Sequence, residues 1–229
     1  MNLTEALRAA VALLVARDPQ IVSAVIVSVV VAVLGTLLAT LLGAPAGFWV
    51  AMREFRGRRV VELLLNTATA LPTVVVGLFI YALLSRRGLL GDLGLLYTPS
   101  AMVIGETLLI APLMAALTLA VVRGADTRIY ETALTLGASP LRAAFTVAAE
   151  TRRGLLAAVA TGFGRLISEL GIALMVGGNI AQATRTMTTA IALETSKGEF
   201  ALGLALGVLL LAVALAVNIG AALLARNHR

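Results

Sequence analysis

Residues 19–52 read PQIVSAVIVSVVVAVLGTLLATLLGAPAGFWVAM, 34 positions between Asp18 and Arg53 without a single charge. A helix needs only about 20 mostly apolar residues to cross the hydrocarbon core of a bilayer, so this stretch by itself places the chain in a membrane. The expected span is Ile21 to about Leu42–Gly43, followed by the helix-weakening run Gly43-Ala44-Pro45-Ala46-Gly47. Four further apolar stretches follow: 62–85 with a central Pro72, 100–122 with Glu106 and Pro112 inside it, 154–178 with Arg165 and Glu169 inside it, and 200–225, which is uncharged throughout.

Composition agrees. Of 229 residues, 60% are apolar and 13% charged, which leaves too little polar surface to solvate a globule. The fold class is an all-α integral membrane protein with about five transmembrane helices. Cysteine is absent and the one histidine is His228, so thiol catalysis, Cys-ligated metals and a His-pair metal site are excluded. No metal site is expected. The formal charge of +6 sits in short breaks between apolar blocks, which is how membrane proteins set their orientation, and nucleic acid is not an expected partner.

The breaks carry the topology. Arg53, Arg56, Arg58, Arg59, Arg123, Arg128, Arg142, Arg152, Arg153, Arg226 and Arg229 fall on one side; Arg8, Arg17, Arg86, Arg87, Arg185 and Lys197 fall on the other. The excess on the first side predicts an inner-membrane, multi-pass protein with its N-terminus outside and its C-terminus in the cytoplasm. Residues 1–18 are expected to form an interfacial helix, with Leu3, Leu7, Ala10, Val11 and Leu14 on one face, ahead of a membrane domain over 19–229.

The polar loop 123–153 is too polar to span and too periodic to be a plain connection. Asp126 is placed to cap a first helix carrying Ile129, Ala133 and Leu136 on one side; Gly137 stops it; Ser139 caps a second helix with Pro140 at its first position and Leu141, Ala144, Phe145 and Ala148 as its apolar stripe. On residues alone, such a helix–glycine–helix unit is either a connector or a docking element.

Glu131-Thr132-Ala133-x-x-x-Gly137 resembles the Glu-Ala-Ala-x-x-x-Gly loop of permease subunits of ATP-binding-cassette importers. Thr132 departs from the usual Ala, and Val147-x-Ala149-Glu150 stands where Ile-x-Leu-Pro is frequent. Gly164-Arg165-x-Ile167-Ser168-Glu169-x-Gly171 and Met175-Val176-Gly177-Gly178-Asn179 are similar to the fourth-span signature of oxyanion permeases, with Ser168 replacing a usual Gly. Within that group Glu131 to Ser139, Met175 to Ile180 and Thr188-Thr189-Ala190-Ile191-x-Leu193-Glu194-Thr195-Ser196-Lys197-Gly198 most resemble the tungstate permeases.

The resemblance implies a type I importer permease fold with a cytoplasmic two-helix coupling loop, in which Glu131, Thr132, Ala133, Gly137, Ser139 and Pro140 dock on a separate ATPase. It also implies a homodimer, a pair of ATPase subunits that bind ATP and Mg, an extracytoplasmic anion-binding protein, and surrounding lipid. The cargo implied is tungstate, with molybdate, sulfate or another anion as the alternative. The chain has no Gly-x-x-x-x-Gly-Lys-[Ser/Thr] phosphate loop and is not expected to be an enzyme or to hold a cofactor.

Translocation-path candidates are Arg165, Glu169, Asn66, Thr67, Thr69, Thr73 and Asn179. Two readings stand for Arg165 and Glu169: a structural ion pair, or charges bordering a wetted passage. Glu106 is expected to serve helix packing or gating. A proton-coupled secondary transporter using Glu106 and Glu169 is a distant alternative, and an intramembrane enzyme lacks a catalytic pair.

Overall fold

The computed structural model describes residues 18–126 and 128–226, with isolated positions 4, 8, 11, 12, 15 and 16 before them. The interfacial helix expected over 1–18 falls largely outside these residues. The architecture is helical. Three helices are long and apolar enough to cross a membrane, and the number rises to five when each of two sharply bent helix pairs is taken as one span.

Helix α1 (Pro19–Met52) opens with Asp18, whose Oδ1 accepts from the Gln20 N–H at 2.7 Å, and with Pro19 at the first position. It does not end near Gly43 as expected but continues through Pro45 to Met52. The reason is packing against helix α4 (Pro99–Arg123). A Cβ on Gly43 would lie 2.3 Å from the Ala111 carbonyl oxygen, and one on Gly47 would lie 2.1 Å from that of Ala115. These glycines bring two backbones together, a contact that outweighs the low helix propensity of the run. Gly35 faces Glu106, Gly43 faces Ala111 and Met114, and Gly47 faces Ala115, so residue numbers climb together and the two helices are parallel.

Parallel neighbours require a return crossing, which residues 58–84 supply as α2 (Arg58–Thr69) and α3 (Thr73–Leu84). The span expected over 62–85 is broken at its central proline: the two helices meet at 94°, with Pro72 as the N-cap of α3. Proline removes the amide the helix needs and disfavours helical backbone at Leu71. Thr67 and Thr69 donate their hydroxyls to the carbonyls of Leu63 and Asn66 in the last turn of α2.

Beyond α4, the polar loop forms α5 (Arg128–Thr135) and α6 (Pro140–Glu150). The span expected over 154–178 is likewise two helices, α7 (Arg152–Ile167) and α8 (Gly171–Gly177), bent by 55° at Ser168-Glu169-Leu170. A further helix, α9 (Met187–Lys197), then packs on the last one, α10 (Phe200–Arg226). A capping box between Thr186 and Thr189 starts α9, and the Met187 N–H donates to the buried Ser28 Oγ of α1 at 2.7 Å. Helix α4 is central, with α1, α2, α3, α7 and α8 around it; Met102, Ile110, Met114, Leu166 and Ile172 form the fully buried core. Helix α10 lies at the periphery with Leu211, Leu215, Ile219 and Leu223 exposed, as a lipid-facing helix requires.

Candidate functional site

Two regions carry the residues singled out from sequence. The first is the corner between α5 and α6. Asp126 Oδ1 accepts from the Arg128 N–H at 3.0 Å, and its carboxylate also takes the Arg128 guanidinium, the closest approach being 2.6 Å. Those guanidinium bonds, and then the backbone bond, hold the Asp126 carboxyl below its ordinary value; the same pair raises Arg128. At the other end, the Ala138 N–H reaches back to the Ala133 carbonyl at 3.0 Å and Gly137 adopts φ +88°, a left-handed helix stop. The Ser139 side chain accepts from the Arg142 N–H, and Pro140 leads α6.

Ile129, Thr132, Ala133, Leu136 and Ala138 line an open groove of about 690 Å³ at this corner, with Leu136 82% exposed and Glu131 exposed beside them.

The second region lies where the two bent pairs meet. A Cβ on Gly171 would lie 2.6 Å from Thr73 Oγ1 and 2.8 Å from the Val74 nitrogen, so the first turns of α3 and α8 touch. Thr73, Val74, Arg165, Ser168, Glu169 and Met175 are among the residues around a cavity of about 320 Å³ at this junction. Glu169 organises it. One carboxylate oxygen accepts from Arg165 Nη1 at 3.1 Å, and the other accepts from the Gly171 N–H at 2.7 Å and the Ile172 N–H at 3.4 Å. Its backbone carbonyl accepts from Thr188 Oγ1 at 2.8 Å, joining the break to α9. The Glu169 side chain is 1% exposed and that of Arg165 is 44% exposed, so the acid is sunk in protein while the cation stands at the cavity.

Sequence reasoning placed Thr73, Arg165 and Glu169 as path candidates, and the fold brings these three together, with Ser168 added. It leaves Asn66, Thr67 and Thr69 exposed on α2, off the cavity lining. Asn179 stands past the far end of α8 at φ +53°, its Oδ1 accepting from Arg185 Nε at 3.1 Å. Two further features were not anticipated. Glu62 receives both Arg58 (Nε–Oε1 3.0 Å) and Arg123 (Nη1–Oε2 3.0 Å), clasping the start of α2 to the end of α4. Glu169 caps a helix, a role that Glu169-x-Gly171 signals only once the helix break is known. Glu106 is buried against Gly35, and among the described residues no group hydrogen-bonds its Oε2.

Three long apolar helices and two sharply bent pairs, with a two-helix corner between α4 and α7, describe a polytopic helical membrane protein. Residues 43–229 match the family described as the binding-protein-dependent transport system inner membrane component, and the chain belongs to that family. It is 42% identical over 165 residues to the tungstate uptake system permease protein TupB of Campylobacter jejuni, covering 72% of this chain and 69% of that one. It is 38% identical over 216 residues to TupB of Peptoclostridium acidaminophilum, covering 94% and 95%. Among solved structures, an inward-facing MetNI methionine ABC transporter superposes with a TM-score of 0.75 at 17% identity, covering 90% of this chain and 95% of that one. The fold is that of a type I importer permease.

Proposed function

We propose that this chain is the membrane-spanning subunit of an ATP-driven importer for an oxyanion, with tungstate as the cargo. The observation that carries the reading is the near full-length similarity to a tungstate uptake permease. The permease acts as a homodimer whose passage follows the twofold axis, with the polar loop and the C-terminus in the cytoplasm. An extracytoplasmic protein delivers the anion, and a pair of separate ATPase subunits binds ATP and Mg. This chain contributes no nucleotide chemistry.

The corner formed by Glu131, Thr132, Ala133, Gly137, Ser139 and Pro140 seats in the ATPase. When ATP draws the ATPases together, the α5–α6 unit moves with them. Because it is continuous with α4 and α7, it biases the spans between inward-open and outward-open arrangements. At the junction of the broken spans, the half-exposed Arg165 guanidinium and the Thr73 and Ser168 hydroxyls border the anion's route, while Glu169 holds Arg165 in place. Weak contacts of this kind suit a carrier, since a tight site would retain the anion. Asn66, Thr67 and Thr69 are polar and exposed on α2, which fits a wetted face toward the second copy rather than lipid. Asn179 belongs to the outer mouth.

The test is reconstitution of the permease with its ATPase and anion-binding protein in liposomes. Tungstate uptake that requires ATP and the binding protein is the expected result; uptake driven by a proton gradient without the ATPase overturns the reading.

A further inference from the structure

The two large residues of the apolar stripe of α6 stand open, while Ala144 and Ala148 beside them are half-buried. Leu141 and Phe145 are 68% and 67% exposed, and with Pro45, Phe48 and Trp49 of α1 they line an open groove of about 540 Å³. Trp49, the only tryptophan of the chain, is itself largely exposed and packs its ring against Phe55 with centroids 5.1 Å apart.

The depth of this groove follows from helix length. The 34 residues of α1 extend about 51 Å. The hydrocarbon core is about 30 Å thick, and about 40–45 Å with its headgroup layers. With α1 centred on the bilayer, its last two turns therefore start at the edge of the acyl region and run out through the headgroup layer, the level at which tryptophan concentrates. The clasp of Arg58, Glu62 and Arg123 lies just beyond, at the ends of α2 and α4.

Charge identifies the occupant. Arg53 lies on the groove lining; Arg56 and Arg59 follow it in sequence and Arg142 follows the lining residue Leu141, all three exposed, against Glu54, whose carboxylate is 3.9 Å from Arg58. A surface with an apolar floor at the edge of the acyl region and guanidinium groups at headgroup depth matches a lipid whose phosphate carries net negative charge. A zwitterionic lipid brings its own cation to the same arginines.

We propose that the groove between the end of α1 and α6 binds an anionic phospholipid of the leaflet in which α1 ends. Its acyl chains lie on Phe48, Trp49, Leu141 and Phe145, and its phosphate is held by Arg53 and Arg142. Such a lipid bridges α1 to the helix that follows the glycine corner, so bilayer composition acts on the corner's position.

Trp49 is its own reporter. The full permease is reconstituted in phosphatidylcholine bilayers, and its fluorescence is quenched with chain-brominated phosphatidylglycerol or chain-brominated phosphatidylcholine at equal mole fractions. The expected result is a relative binding constant for the anionic lipid of about five or more, dropping roughly three- to fivefold in each of Arg53→Gln and Arg142→Gln. Arg87→Gln, between α3 and α4, leaves it unchanged. Equal quenching by the two lipids, or a preference that survives both substitutions, overturns the proposal. So does a flat lipid preference combined with loss of ATPase assembly in Arg53→Gln, which would make the groove a protein-docking face.

Discussion

Arg165 and Glu169 are joined at 3.1 Å, one helical turn apart, yet they live in different environments: the carboxylate is enclosed and also caps α8, while the guanidinium is nearly half exposed at the cavity. The acid anchors the break and the arginine faces the route. Removing the acid takes away the cap and leaves Arg165 unheld, so Glu169→Ala is expected to lower folded permease in the membrane, with a cap loss of about 1 kcal/mol or more. Glu169→Gln keeps an oxygen for the Gly171 N–H and should restore abundance. Arg165→Leu paired with Glu169→Leu removes both charges but not the need for a cap, so abundance stays low. Membrane abundance of these three variants by immunoblot decides it, and recovery in the double leucine variant contradicts the capping role.

Arg165 alone separates passage from scaffold. Arg165→Gln leaves the cap of α8 intact, so the protein should reach the membrane in near-normal amount while ATP-driven anion uptake falls at least several-fold. Unchanged uptake at unchanged abundance removes Arg165 from the route.

The glycine corner gives a prediction about coupling. Gly137 at φ +88° has open space around it, so Gly137→Val is opposed by backbone strain of about 1–3 kcal/mol and not by a clash. Together with Glu131→Lys, it is expected to leave the permease folded while reducing uptake and transport-coupled ATP hydrolysis. Full uptake in both variants refutes the docking assignment.

Close approach of α1 to α4 is testable in the same way. Gly47→Ala places a Cβ 2.1 Å from a backbone oxygen and is expected to cost about 1–3 kcal/mol, seen as a lower Tm in detergent. Gly207→Ala on α10, where a Cβ meets nothing, should be neutral or slightly stabilising.

Acid should act on the start of α5 late. The Asp126 carboxyl is held below its ordinary value, so the stabilisation it lends this cap is complete above the unfolded value of about 3.9 and is lost only as pH falls through the lower folded value. Hydrogen exchange at the first turn of α5 is therefore expected to be flat from neutral pH to about 5 after correction for intrinsic rates. Asp126→Asn should raise exchange there at neutral pH.

The orientation is open to direct measurement. A reporter fused after Arg229 should read cytoplasmic, and one inserted near Gly91, in the connection between α3 and α4, should read external. Reversed signals would put the polar loop on the wrong side for an ATPase.

Much of this protein was legible locally. Charge-free runs decide that the chain enters a membrane, because no bilayer-depth water can solvate a peptide group outside a helix. The polar loop was legible for a similar reason: Asp126, Gly137, Ser139 and Pro140 act through backbone bonds within a few residues, and the structure places the α5–α6 corner where they predict it. What the chain could not reveal residue by residue depended on contacts between distant segments. Gly43 and Gly47 read as the end of a helix until Ala111 and Ala115 of α4 are set against them. Pro72 reads as the centre of one span until the start of α3 packs beside Gly171 and the bend becomes 94°. Glu169 reads as half of an ion pair, yet its second oxygen caps a helix that exists only because α7 breaks at Ser168. Helix propensity and capping are short-range energies and are written in adjacent residues; the depth and angle of a break are set by close packing across the core, where a few ångströms between distant glycines and carbonyls outweigh them.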